Sequence, residues 1–216
     1  IGKEVIPEGI KVVKAAAKKE GIQLEFTDFD FGADRYLKDG HVLSDADVAT
    51  LKNYQAIYLG AVGDPRVAPG VLEKGLLLKL RFDMDLYINL RPIKLFDEKY
   101  CPLKNKTLAD IDFVVVRENT EDLYAGGGGF LRKNTPQEVA TQEMIATRFG
   151  VERAVRYAFE LAKKRNGKKK VALCDKSNVL TFAHNLWLRT FNEVAKEYPE
   201  IKTEHFYVDA ICMKFV

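Results

Sequence analysis

The segment YQAIYLGAV, residues 54–62, is a nearly continuous apolar run, and its reading decides the fold class. Such a run is the pattern of a strand buried on both faces, as in a parallel sheet. It follows a short helical pattern from Asp45 to Asn53 and leads into the turn Gly60-Ala-Val-Gly-Asp-Pro65. Upstream, Val5, Ile6, Ile10, Val12, Val13 and Ala16 recur at helical spacing, with Gly21 as a stop. The next stretch, IQLEFTDFDF (22–31), alternates with period two and predicts a strand with Ile22, Leu24 and Phe26 on one face. Helices alternating with strands predict an α/β protein with crossover helices.

The alternation continues downstream. Val71 to Arg81 predicts a leucine-rich helix, and LYINLRP (86–92) a strand with Tyr87, Asn89 and Arg91 on one face and Arg91 at its end. IDFVVVRE (111–118) predicts a buried strand closing near Arg117. A helix is expected from about Thr141 to Arg165, a strand in KKVALCDK, a helix from Val179 to Tyr198, and a strand in TEHFYVDA that enters a helix at Asp209. A changeover near Leu86 divides the chain into two lobes, 1–86 and 87–216. The glycine run Gly126 to Gly129 predicts an arm or hairpin; it has neither GK[ST] nor a following helix start to cradle phosphate.

The 216 residues are 47% apolar and 30% charged, enough for a sizeable core in one or two domains. Thirty-four basic against 31 acidic residues leave a net charge of +3, too balanced to argue for nucleic acid. The run KKRNGKKK, Lys163 to Lys170, reads as a solvated turn. Cys101, Cys174 and Cys212 are odd in number and widely spaced, which fits reduced thiols in a cytoplasmic protein. No apolar stretch reaches membrane-span length and no signal peptide is visible. Ile1 starts inside a helical pattern and Val216 ends inside an apolar one, so a longer protein is expected.

Chemistry-bearing residues gather at element ends. Arg81, Arg91 and Arg117 read either as structural ion-pair partners or as an anion pocket, because guanidinium groups grip carboxylates in two-pronged pairs. Tyr124 follows in a glycine-rich turn, where it is a packing residue or a proton donor. Lys176, with Asn178 two positions on, is a solvated strand end or a base. Asp209 is a helix N-cap or a hard ligand for a divalent cation.

The order of these segments resembles the metal-dependent β-decarboxylating dehydrogenases, the family of isopropylmalate, isocitrate, homoisocitrate and tartrate dehydrogenases. Ile1 to Val5 is similar to the end of its GDGIGxEV, and Gly60 to Pro65 to its GxxGxP loop. LRFDMDLYINLRP (80–92) matches LRxxxDLxxNLRP, VRENTEDLYAG (116–126) matches VRExTExxY, and DKSNVL (175–180) matches the lysine segment. The runs GDPRVAPGVLEKGLLLKLRF and NVLTFAHNLW look most like the isopropylmalate branch, especially in bacterial actinomycetes.

The resemblance implies a two-lobed fold with a mixed central sheet flanked by helices: an N-terminal part of a cofactor-binding lobe, then a substrate and dimerisation lobe. It implies a homodimer with composite active sites, a small-molecule substrate, NAD, and Mg2+ or Mn2+, with neither nucleic acid nor membrane as partner. The implied reaction oxidises and decarboxylates (2R,3S)-3-isopropylmalate to 4-methyl-2-oxopentanoate in leucine biosynthesis. Tartrate or D-malate oxidation and a non-catalytic regulatory subunit are the alternatives. Arg81, Arg91 and Arg117 would bind carboxylates, and Tyr124 would protonate the enol carbon. From the neighbouring subunit, Lys176 would deprotonate the C2 hydroxyl and Asp209 would bind metal. Asn178 and Val179 would border substrate and nicotinamide, and the leucines at 76–78, Leu77 and Leu78 foremost, would meet the C3 substituent. Further metal ligands and the loop selecting NAD over NADP would lie beyond Val216.

Overall fold

The structure, a computed structural model, describes residues 2–215. Ile1, with which the first resemblance begins, lies outside them. The chain divides into two compact units, Ile1–Asp85 and Leu86–Val216.

The first unit is built from helices. α1 (Gly2–Glu20) lies along residues 58–61, where a Cβ added to Gly60 would stand 3.1 Å from the Ile6 side chain. α2 (Ala33–Asp39) stops at Gly40, whose φ of 77° suits a glycine stop. α3 (Asp45–Leu51) starts with a reciprocal cap: the Asp47 N–H donates to Ser44 Oγ at 3.1 Å and the Ser44 N–H to Asp47 Oδ2 at 2.8 Å. A π-helical turn, Glu73–Leu78, runs directly into α4 (Lys79–Asp83). The core gathers Val42, Leu43, Val48, Leu51, Leu72, Leu76 and Leu80.

Two expected strands do not form. Residues 22–31 and 54–62 have no ladder partner, and Ile22, Leu24, Tyr58 and Leu59 are exposed. Alternation favours extended backbone, but a strand also needs a neighbour to take its N–H and C=O groups, and none of the described residues supplies one. α1 covers one side of residues 58–61, so the run at 54–62 is not buried on both faces, and Val62 is its contribution to the core.

The second unit holds the strands, in three two-stranded ladders, antiparallel and parallel. β1 (Ile88–Lys94) pairs antiparallel with β2 (Asp112–Glu118), so Arg91 sits mid-strand rather than at an end. β3 (Gly128–Leu131) and β4 (Val139–Gln142) form an exposed hairpin at the glycine run. The helix expected from Thr141 therefore starts later. Thr141 pairs with Gly129, and α5 (Arg148–Arg165) begins where the Gly150 N–H donates to Thr147 Oγ1 at 3.0 Å. α5 ends at Asn166 in the left-handed region, which makes the basic run a helix end and turn.

β5 (Lys170–Asp175) and β6 (Lys202–Tyr207) are parallel, joined through α6 (Ala183–Ala195) in a β–α–β crossover. α6 starts at Ala183, not Val179, because residues 176–181 spend their backbone groups in a turn. α7 (Val208–Phe215) follows β6 directly. α5 and α6 pack against β5 through Val151, Val155, Phe159, Leu173, Phe191 and Val194. Phe159 is fully enclosed between the rings of Phe191 and Tyr198, at 5.5 and 5.0 Å.

Candidate functional site

The register of β1 and β2 sets Asn89 opposite Arg117 and Arg91 opposite Val115, which places both arginines on one face of the ladder. Asn89 Oδ1 accepts from Arg91 Nε at 3.0 Å. Asn89 Nδ2 donates to Asn119 Oδ1 at 3.3 Å, and Asn119 Nδ2 to the Leu86 carbonyl at 2.9 Å. Neither Arg91 nor Arg117 has a carboxylate partner among the described residues. Two guanidinium groups sharing a face without a carboxylate partner have the chemistry to receive an anion.

Tyr124 joins this group. After β2 the buried Glu118 carboxylate accepts the Thr120 and Glu121 N–H groups at 2.9 and 2.8 Å, which turns the chain. A short 3-10 turn, Leu123–Ala125, then sets the Tyr124 ring 4.7 Å from the Arg117 guanidinium carbon. Gln142 of β4 donates to the Leu123 carbonyl at 2.7 Å, so the hairpin holds the turn. The Tyr124 ring is thereby stationed beside the Arg117 cation.

A second group forms at the carboxyl ends of the parallel strands, where α/β proteins bind their ligands. Asp175 and Tyr207 are the last paired residues, and Lys176 and Asp209 lie just beyond. Lys176 Nζ donates to Asp209 Oδ1 at 2.5 Å. That hydrogen bond, with Asp209's own backbone N–H, holds the Asp209 carboxyl below the usual carboxylate range. The carboxylate is 63% exposed, ionised and open to a ligand. Asn178 and Val179 are exposed in the turn after Lys176.

These two groups share no hydrogen bond or ion pair among the described residues. Arg81 lies in α4 of the first unit, where it has interactions of its own. Leu77 and Leu78 are half-buried on the π-helical turn. Leu76, offered beside them to a C3 substituent, is 2% exposed and belongs to the core, which removes it from that role.

No three His, Cys, Asp or Glu side chains that could hold a metal gather among the described residues. Asp209 is a suitable hard oxygen donor but a single one, so these residues do not assemble a metal site. Cys101, Cys174 and Cys212 are free thiols, and burial pushes the Cys174 thiol up, leaving it a poor nucleophile. No helix among the described residues is long and apolar enough to cross a membrane.

Several side chains that hold the site carry no sequence signal. Arg153 of α5 places its guanidinium carbon 4.3 Å from the Tyr87 ring, and donates to Thr120 Oγ1 at 2.9 Å. His184 accepts from the Lys176 N–H at 2.7 Å. A lone histidine or arginine on an amphipathic helix has no spacing that marks it, and only tertiary contact shows its task.

Cations on an antiparallel ladder and a lysine–aspartate pair at parallel strand ends define the class: an α/β protein that sets charged side chains along and at the ends of its strands. The chain belongs to the isocitrate/isopropylmalate dehydrogenase family, whose model matches residues 1–216. It is 54% identical over 211 residues to a 3-isopropylmalate dehydrogenase of Bifidobacterium longum subsp. infantis, covering 97% of this chain and 60% of that protein. Against the 3-isopropylmalate dehydrogenase of Thermobifida fusca it is 50% identical over 216 residues, covering 100% and 61%. Among solved structures, an isocitrate dehydrogenase from Methylococcus capsulatus superposes with a TM-score of 0.84 at 31% identity, covering 99% of this chain and 59% of that one. The chain thus spans about 60% of the length of the curated relatives it matches.

Proposed function

We propose that this chain carries the substrate-gripping and proton-handling part of a cytoplasmic decarboxylating dehydrogenase of leucine biosynthesis. Its substrate is (2R,3S)-3-isopropylmalate, and its products are 4-methyl-2-oxopentanoate, carbon dioxide and NADH. The observation that carries this reading is the pair of guanidinium groups, Arg91 and Arg117, on one ladder face with no carboxylate partner among the described residues. The relatives' shared name supports the substrate class.

In this reading Arg91 and Arg117, with Arg81, grip the malate carboxylates and compensate charge as one of them leaves. Lys176 takes the proton of the C2 hydroxyl, and Asp209 keeps its side chain directed. Tyr124 returns a proton to the carbon that loses carbon dioxide. Leu77 and Leu78 meet the isopropyl group, and a carboxylate there would find no donor. Asn178 and Val179 border the nicotinamide of NAD, which accepts the hydride when bound. Asp209 would supply one hard oxygen ligand to Mg2+ or Mn2+, and the remaining ligands would come from outside the described residues. The two charged groups belong to different subunits: Lys176 and Asp209 of one protomer complete the arginine and tyrosine site of its partner.

NADH formation tests this, with 3-isopropylmalate, isocitrate, D-malate and tartrate each offered with NAD or NADP and manganese or magnesium. Preference for 3-isopropylmalate with NAD is expected. Preference for isocitrate would move the chain to the activity named for the Methylococcus structure and refute the leucine pocket.

A further inference from the structure

Lys176 is the first residue beyond the paired part of β5, so its peptide N–H is not satisfied by the ladder. It finds one acceptor, His184 Nδ1, at 2.7 Å. The Lys176 carbonyl accepts from the Val179 and Leu180 N–H groups, at 3.0 and 2.8 Å, closing a tight turn. The His184 N–H donates to the Leu180 carbonyl at 3.2 Å, tying the first turn of α6 to that same turn. On the other side, the buried Asp175 accepts the Ser177 N–H at 3.0 Å and meets His205 Nε2 at 2.8 Å through Oδ1. The peptides on both sides of the Lys176 Cα are therefore fixed by side chains, one of them from α6.

A peptide N–H always carries its proton, so Nδ1 is the acceptor and the His184 proton sits on Nε2. A partly buried N–H stripped of its acceptor makes the turn rearrange to find another. Lys176 would turn with it, carrying its ammonium away from the present 2.5 Å contact with Asp209 Oδ1.

We infer that His184 is a positioning residue for Lys176: its Nδ1 anchors the peptide from which the lysine side chain is aimed at Asp209 and at the substrate hydroxyl. The inference rests on the proposed role of Lys176, and it adds a requirement on α6 that the reaction itself does not state. His184 touches neither substrate nor cofactor in this scheme. It acts through the lysine, as displacement of a catalytic group by about 1 Å can cost on the order of a hundredfold in rate.

Three variants of the purified protein test it. His184→Leu keeps bulk and removes the acceptor. His184→Asn places Oδ1 close to where Nδ1 stands and restores it. His184→Gln, a polar variant for use if the leucine does not fold, carries its acceptor one bond too far. Two readouts apply to each: hydrogen exchange of the Lys176 amide, and kcat against KM for 3-isopropylmalate. The leucine and glutamine variants should lose Lys176 amide protection by roughly tenfold or more and lose kcat by a similar factor at little-changed KM, while the asparagine variant returns both to within about threefold of wild type. Unchanged exchange in a folded His184→Leu protein overturns the anchor. Lost protection with full kcat overturns the positioning role. A wild type that oxidises none of the four acids defeats the proposed function instead, and the anchor is then judged by exchange and by whether a crystal structure of His184→Leu keeps the Lys176–Asp209 contact.

Discussion

Residues 170–207 and residues 22–62 carry similar signals, apolar stretches with strand-like patterning separated by helical ones, and they reach different ends. In the first, β5 and β6 pair in parallel around α6, and the ladder delivers Lys176 and Asp209 to within 2.5 Å of each other. In the second, residues 22–31 and 54–62 stay unpaired with Ile22, Leu24 and Tyr58 exposed. The difference is partnership. Patterning selects an extended backbone locally, but a ladder needs a neighbour, and only β5 finds one with a two-helix core beneath it. The proposed proton-handling lysine lies where the pairing is complete.

The largest expected effect tests that statement directly. Lys176→Ala should reduce turnover of 3-isopropylmalate by about 10²–10⁴-fold, and Tyr124→Phe should follow at the lower end of that range. Both proteins should fold, because neither side chain is part of the core. Reassociating the two variants together sharpens the comparison. If the groups act across subunits, half of the sites in mixed dimers carry neither substitution, and with random pairing roughly a quarter of wild-type activity returns. No recovery from mixed dimers would place both groups in one subunit.

Next is the core that supports the completed ladder. Phe159→Ala should cost about 3–5 kcal/mol in urea unfolding, since the ring is fully enclosed between Phe191 and Tyr198. A loss below about 1 kcal/mol would mean that the α5–α6 core is not what holds β5 and β6. A smaller effect belongs to the first unit: Leu77→Ser with Leu78→Asn should shift discrimination between 3-isopropylmalate and isocitrate by ~1–3 kcal/mol in kcat/KM. An unchanged ratio would move the substituent pocket elsewhere.

What is legible from the amino-acid order follows the same division. α1, α3, α5 and the leucine helix are readable as segments because apolar spacing is local, but the start of α5 is not: it lies behind the Thr147 cap, past Thr141. β1, β2, β5 and β6 are readable as segments, but which strands pair is not, since register depends on residues far along the chain. Thr141 shows this best: its helical context gives way to pairing with Gly129. For the site, Arg91, Arg117 and Asn89 are assembled by period two once β1 and β2 are paired. Lys176 and Asp209 are each singled out through family resemblance, but their contact is not legible, because 33 positions separate the two residues. His184 and Arg153 are not legible at all, for the reason that a single polar residue on an apolar helix face has no periodic signature.

Acid titration probes the paired strand ends more gently. The Asp209 carboxyl titrates below its ordinary value of 3.8, first because Lys176 donates to it. A lowered folded-state value means the contact stabilises above that ordinary range and is lost as pH falls through the depressed value. Asp209→Asn should therefore flatten the acid side of the stability curve below about pH 4 and lower neutral stability by the same amount, which is small because the pair is solvent-screened. An identical acid limb in variant and wild type would show that the contact does not form in solution.

The smallest expected effect bears hardest on the comparison. Leu24 lies in the unpaired stretch and is 46% exposed, so Leu24→Thr should change stability by no more than about 0.5 kcal/mol. Threonine is β-branched and favours extended backbone, so the substitution removes apolarity without disfavouring the present conformation. If stability instead falls by 2 kcal/mol or more, a cost typical of buried leucines, Leu24 is covered in solution by a surface outside the described residues. Residues 22–31 would then be a paired strand after all, and the contrast between the two regions would record only which neighbours were present.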